Sequence, residues 1–115
     1  MDTHVDISPD DFVAGQANYI TGLDTQVDLP KMEQGGLDAV FFSIYQGQQQ
    51  DFTPAGYQGP YDLAMAKVEA VRRMTTELAP TRIGLALTAE DVRRISESGR
   101  KVALMGMENG YALGE

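Results

Sequence analysis

Apolar residues along the chain fall into two patterns. The stretch Leu37 to Tyr45 reads Leu-Asp-Ala-Val-Phe-Phe-Ser-Ile-Tyr, with Val40, Phe41 and Phe42 consecutive. Unbroken apolar positions suit a strand covered on both faces, as in a parallel sheet, better than a one-sided strand. From Tyr61 to Leu78 the period changes. Ala64, Val68, Val71, Met74 and Leu78 recur at spacings of three and four, which predicts a helix with one buried side. Lys67, Arg72 and Arg73 fall largely on its wet side, and Pro80 stops it. The methionines here read as core packing.

Shorter elements fit around these two. Asp2 to Ile7 reads as a short strand. Ile7 to Val27 is a long irregular segment, with a turn or helix start at Ser8-Pro9-Asp10-Asp11 and punctuation at Gly15 and Gly22. Asp28 is placed to cap a short helix that has Pro30 in its first turn and ends at Gly35-Gly36. Val27, Leu29 and Met32 form its buried side. Gln46 to Pro60, rich in Gln and Gly, reads as a loop, and Arg82 to Leu87 as a short strand. Thr88 caps a further helix with Asp91 three residues on, Val92 and Ile95 packing and Gly99 ending it. Lys101 to Met107 is the last strand and runs into Glu108. Asn109-Gly110 then turns the chain, and Tyr111 to Glu115 begins a further helix. Strand and helix alternate throughout, which predicts an α/β fold with a parallel sheet and right-handed crossovers.

Composition narrows the class. The chain has 115 residues, enough for one ordinary domain, with 43% hydrophobic and 23% charged residues. Nine Lys and Arg against 17 Asp and Glu give a net charge of −8. That is a poor match for nucleic acid or an anionic membrane, both of which favour a basic face. No apolar run approaches the ~20 residues of a membrane helix. The absence of cysteine excludes disulfides, thiolate metal sites and a cysteine nucleophile.

Chemistry concentrates at two places. The opening Asp2-Thr3-His4-Val5-Asp6 holds the sole histidine, with a carboxylate two positions to either side. Residues two apart on a strand share a face, with successive Cα atoms roughly 6–7 Å apart. Asp2, His4 and Asp6 are therefore expected to project together, and an imidazole beside a carboxylate can ligate a divalent metal. The ordinary alternative is a solvated terminal histidine. The second place is Glu108, directly after an apolar strand. That is the carboxyl end, where sites collect in parallel α/β folds. Asp6 and His4 occupy the same end of the first strand.

Several motifs in one order resemble the renal (membrane) dipeptidase family of zinc peptidases. These are Asp2-Thr3-His4-Val5-Asp6, then Gln26-Val27-Asp28-Leu29-Pro30-Lys31-Met32 with Gly35-Gly36-Leu37-Asp38-Ala39, then Lys101-Val102-Ala103-Leu104 followed by Met107-Glu108-Asn109-Gly110. The resemblance implies the N-terminal portion of a (β/α)8 TIM barrel of the metal-dependent hydrolase type, incomplete, with residues 1–115 a single partial domain of three or so barrel strands. It implies zinc-dependent hydrolysis of dipeptides at a site of two zinc ions. His4 and Asp6 match the family's ligands to one metal, which leaves Asp2 a structural role. Glu108 matches the carboxylate that bridges both and holds the site of the nucleophile. It also allows a homodimer.

Two departures qualify that reading. The family's second metal takes two histidines from later strands, and this chain has one histidine in all. A complete barrel takes ~250 residues. The expectation is therefore a parent dipeptidase of which this chain is an inactive part, cytoplasmic or exported. The alternative is a non-catalytic acidic α/β module that binds a partner or a single metal.

Overall fold

Strand and helix alternate in the expected order in the computed structural model, which describes residues 1–114. The elements are β1 (Asp2–Asp6), α1 (Leu29–Gly35), β2 (Ala39–Tyr45), α2 (Pro54–Arg73), β3 (Ile83–Leu85), α3 (Ala89–Glu97) and β4 (Lys101–Glu108). Short 3-10 turns span Pro9–Phe12 and Gly110–Leu113. All pairings among the four strands are parallel, as predicted.

The lateral order is β1-β2-β4-β3. The last strand thus inserts beside β2 and pushes β3 to the edge. β2 and β4 pair along their full length, from Ala39 with Val102 to Tyr45 with Glu108. β3 covers only the start of β4, with Leu85 opposite Ala103 as its last pair.

Alternation along β2 and β4 divides the side chains between two faces. Val40, Phe42, Ile44 and Ala103 lie in the main core with Val5, Leu29 and Met32, and with Ala64, Val71 and Met74 of the long helix. Phe12 and Tyr19, from the segment between β1 and α1, complete this layer. Their rings stack on each other and both meet Phe42 edge-on. The opposite face is covered at its lower end, where Ala39 and Val102 pack with Ala86 and with Ile95 of α3. Gly84 packs closely there. A Cβ at that position would meet the Ile95 side chain at 3.1 Å, closer than ordinary packing.

Both short helices form as the cap residues dictate. The Asp28 side chain accepts from the Lys31 N–H, and Gly36 takes a left-handed conformation at φ 70°. Thr88 and Asp91 make a reciprocal capping box.

One segment departs from expectation. Gln46–Pro60 is not all loop, because α2 begins at Pro54 with Thr53 as its cap. Pro60 lies inside the helix and not before it. Its missing N–H leaves the Gly56 carbonyl without its helical donor. The Tyr111 hydroxyl approaches that carbonyl at 3.4 Å. Gly56 is also needed at the cap, where a Cβ would collide with Asp51. The far end reaches Leu78 as predicted, but the last turn, Met74–Leu78, is of the wider π type. After β4, the chain turns through Gly110–Leu113; Glu115, also expected in a helix, lies outside the described residues.

Candidate metal centre

Two strands, β1 and β4, place three ligand-type side chains at one edge of the sheet. Val5 points into the core opposite Phe42. His4 and Asp6 on either side of it therefore face the other way, and Asp6 pairs with Ser43 of β2. Glu108 ends β4 two residues beyond Gly106, the partner of Ser43. His4 Nε2 is 3.5 Å from Asp6 Oδ1 and 3.1 Å from Glu108 Oε2. One ligand atom from each of the three residues lies within 4.8 Å of the others, and all three residues are exposed.

Asp2 does not join them. The ladder between β1 and β2 shifts register between Asp2 and Val5. Asp2 Oδ1 instead accepts from the His4 backbone N–H at 3.0 Å. The expected row of three on one strand face is thus reduced to two, and the third group comes from β4. The irregular ladder accounts for the difference, since strict alternation fails across a bulge.

Ser43 was not singled out in the sequence. It is only 5% exposed, and its hydroxyl donates to Glu108 Oε2 at 2.9 Å. The available signal was a lone hydroxyl in an apolar strand, because a buried polar group requires a partner. Asn109, which the sequence marks only as part of a turn, does more. It has φ 67°, and its amide donates to the Gln46 carbonyl at 2.8 Å. Its side-chain oxygen accepts from the Tyr111 N–H. The Tyr111 hydroxyl also donates to the Asp51 carbonyl. The chain after Glu108 is thereby tied to the end of β2 and the start of α2.

A cleft of about 500 Å³ lies beside His4 and Asp6, walled on its far side by Asp24–Val27. Asp28 and Lys31 pin that wall. Asp28 is 1% exposed; Oδ2 accepts from the Leu23 N–H and Oδ1 from the Lys31 N–H. The Lys31 ammonium reaches Asp28 Oδ2 at 2.6 Å and caps the Leu23 and Thr25 carbonyls. Burial pushes the Asp28 carboxyl up, but the hydrogen bonds from Lys31 and Leu23 outweigh it and leave it below the usual carboxylate range.

The donor set fits a cation. One imidazole nitrogen and two carboxylates converge within the spacing that a single divalent ion can span, and their chemistry suits zinc, manganese, iron or cobalt. A second cluster of this kind is not found among the described residues.

Comparison with known proteins agrees with this architecture. The profile of the family described as "Membrane dipeptidase (Peptidase family M19)" matches residues 1–115. A dipeptidase, tcpJ, of Claviceps purpurea (strain 20.1) is 34% identical over 91 residues, 76% of this chain and 21% of that protein. Among solved structures, the probable dipeptidase PvdM from Pseudomonas aeruginosa superposes with a TM-score of 0.79 at 24% identity. That match covers 98% of this chain and 28% of the other. The chain therefore matches 21% of the length of one of these relatives and 28% of the other.

Proposed function

The chain belongs to the membrane dipeptidase family, and from that premise we propose that it forms part of a metal-dependent dipeptidase and supplies one side of its metal site. The observation that carries this reading is the convergence of His4, Asp6 and Glu108 from two strands that do not pair with each other.

In this reading His4 offers a neutral imidazole nitrogen, and Asp6 and Glu108 offer anionic oxygens that balance the charge of the ion. Glu108 would serve as the carboxylate shared by two ions, with Oε2 lying toward His4 and Oε1 making no hydrogen bond among the described residues. Zinc is the metal favoured by the family resemblance. A divalent ion bound there would polarise the peptide carbonyl and supply a nucleophile at neutral pH. The chain's own residues orient the ligands and leave the site open at the carboxyl edge of the strands, where a dipeptide can enter. β1, β2 and β4 are then neighbouring walls of a (β/α)8 barrel, and the remaining histidines come from strands outside this sequence. Support for the barrel is the superposition on a quarter of a larger structure.

The test is a chimera in which this chain replaces the matching region of the Claviceps purpurea relative. Hydrolysis of a dipeptide that disappears with His4→Ala is the expected result. A folded chimera that hydrolyses no dipeptide overturns the reading. A non-catalytic module with one cation is the second reading, favoured by the single ligand cluster among the described residues. It predicts one ion per chain and no activity in the chimera.

A further inference from the structure

We propose that Ser43 is a positioning residue that fixes the Glu108 carboxylate for cation binding, an inference that rests on the metal-site reading above.

The run Ala-Val-Phe-Phe-Ser-Ile-Tyr of β2 is apolar around a single hydroxyl. Ser43 is buried, so its O–H must find an acceptor or lose the hydrogen bond it had in water. An ionised carboxylate can only accept, so the hydroxyl donates, and it does so at 2.9 Å to Glu108 Oε2, 65 residues away in sequence. That same oxygen stands 3.1 Å from His4 Nε2. One Glu108 oxygen is thus held by the strand between β1 and β4 and presented to the histidine. The other, Oε1, makes no hydrogen bond among the described residues. Glu108 is otherwise an exposed side chain at a strand end, with several torsions free. Without the hydroxyl it would sample rotamers that turn Oε2 away from His4 and Asp6. Partners of this kind, one bond removed from the ion, set ligand orientation in metal sites generally. The register supports the assignment, because Ser43 pairs with Asp6 on one side and Gly106 on the other. Gly106 has no side chain to compete for the hydroxyl.

The test uses the full chain with Ser43→Ala and Ser43→Thr. Two quantities are measured. One is the side-chain order of Glu108 in metal-free protein, from NMR couplings and relaxation. The other is zinc affinity by competition with a chromophoric chelator. Ser43→Ala is expected to release Glu108 into several rotamers and to weaken zinc about 10–100-fold, with the melting curve little changed. Ser43→Thr, which keeps the hydroxyl, should retain both properties. Equal order of Glu108 in wild type and Ser43→Ala overturns the proposal, as does measurable zinc binding of equal affinity in the two. If wild type takes up no zinc while Ser43 still orders Glu108, the metal reading fails and the brace stands.

Discussion

His4 Nε2 stands 3.1 Å from Glu108 Oε2, across a strand that belongs to neither residue. β1 and β4 make no ladder with each other; both pair with β2. The contact therefore exists only when three strands are in register. It couples the assembly of the sheet to the assembly of the site, and a slip of one residue in either ladder would turn a ligand to the opposite face.

Removal of one ligand should abolish cation binding more severely than removal of a supporting partner. His4→Ala, Asp6→Ala and Glu108→Gln are each expected to weaken zinc by more than the about 10–100-fold typical of an outer partner. Asp2→Ala should leave affinity close to wild type, because the Asp2 carboxylate accepts from the His4 backbone N–H and stands outside the ligand cluster. Competition titrations in buffers free of chelating anions would show the ranking, and an Asp2 effect as large as that of Asp6 would refute it.

The Asp28–Lys31 clamp should matter to the fold more than any exposed ion pair. Asp28→Ala removes a helix cap and the acceptor of the Leu23 N–H. A loss of about 2 kcal/mol is expected, the upper end for caps. Exposed pairs such as Arg93–Glu90 should contribute within about 1 kcal/mol. Urea unfolding of Asp28→Ala, Asp28→Asn and Glu90→Ala tests this. Asn keeps a capping oxygen and should fall between the other two.

Gly84→Ala probes the covered face. Its added methyl would meet the Ile95 side chain at 3.1 Å, so a cost of about 1–3 kcal/mol is expected from overpacking. Ile95→Val in the same chain should recover part of it by removing a methyl from the contact. If the double variant is no more stable than the sum of the two single effects, the clash is not with Ile95.

Acid should loosen the first turn of α3. The Arg94 guanidinium, with the Leu87 N–H and the Thr88 hydroxyl, holds the Asp91 carboxyl down at about 2. A carboxyl depressed in the folded state stabilises the fold above its unfolded value of about 4, and that stabilisation is lost as pH falls through about 2. Wild type should therefore lose stability between about pH 4 and 2. Asp91→Asn should be less stable at neutral pH and flatter across that window. Urea midpoints at pH 2, 4 and 7 would show whether the two curves converge in acid.

Much of this molecule was legible before its structure. The helix of Tyr61 to Leu78, the buried strand ending at Tyr45 and the caps at Asp28 and Thr88 follow from local rules of period and capping, which neighbouring residues satisfy among themselves. His4, Asp6 and Glu108 were identifiable as candidates by residue type and by position at strand ends. The early start of α2 is hidden because Gln46 to Pro60, rich in Gln and Gly, reads as a loop, whereas Pro60 lies inside the helix with the Tyr111 hydroxyl approaching the Gly56 carbonyl from outside. Strand order escaped too. Nothing local to Ile83–Leu85 reveals that β4 will displace it from β2. The placing of Ser43 under Glu108, and the departure of Asp2 from its expected partners, depend on ladders between segments far apart in sequence. Local patterning decided which elements form and which residues could carry chemistry; only the long-range register between strands decided which of those residues meet.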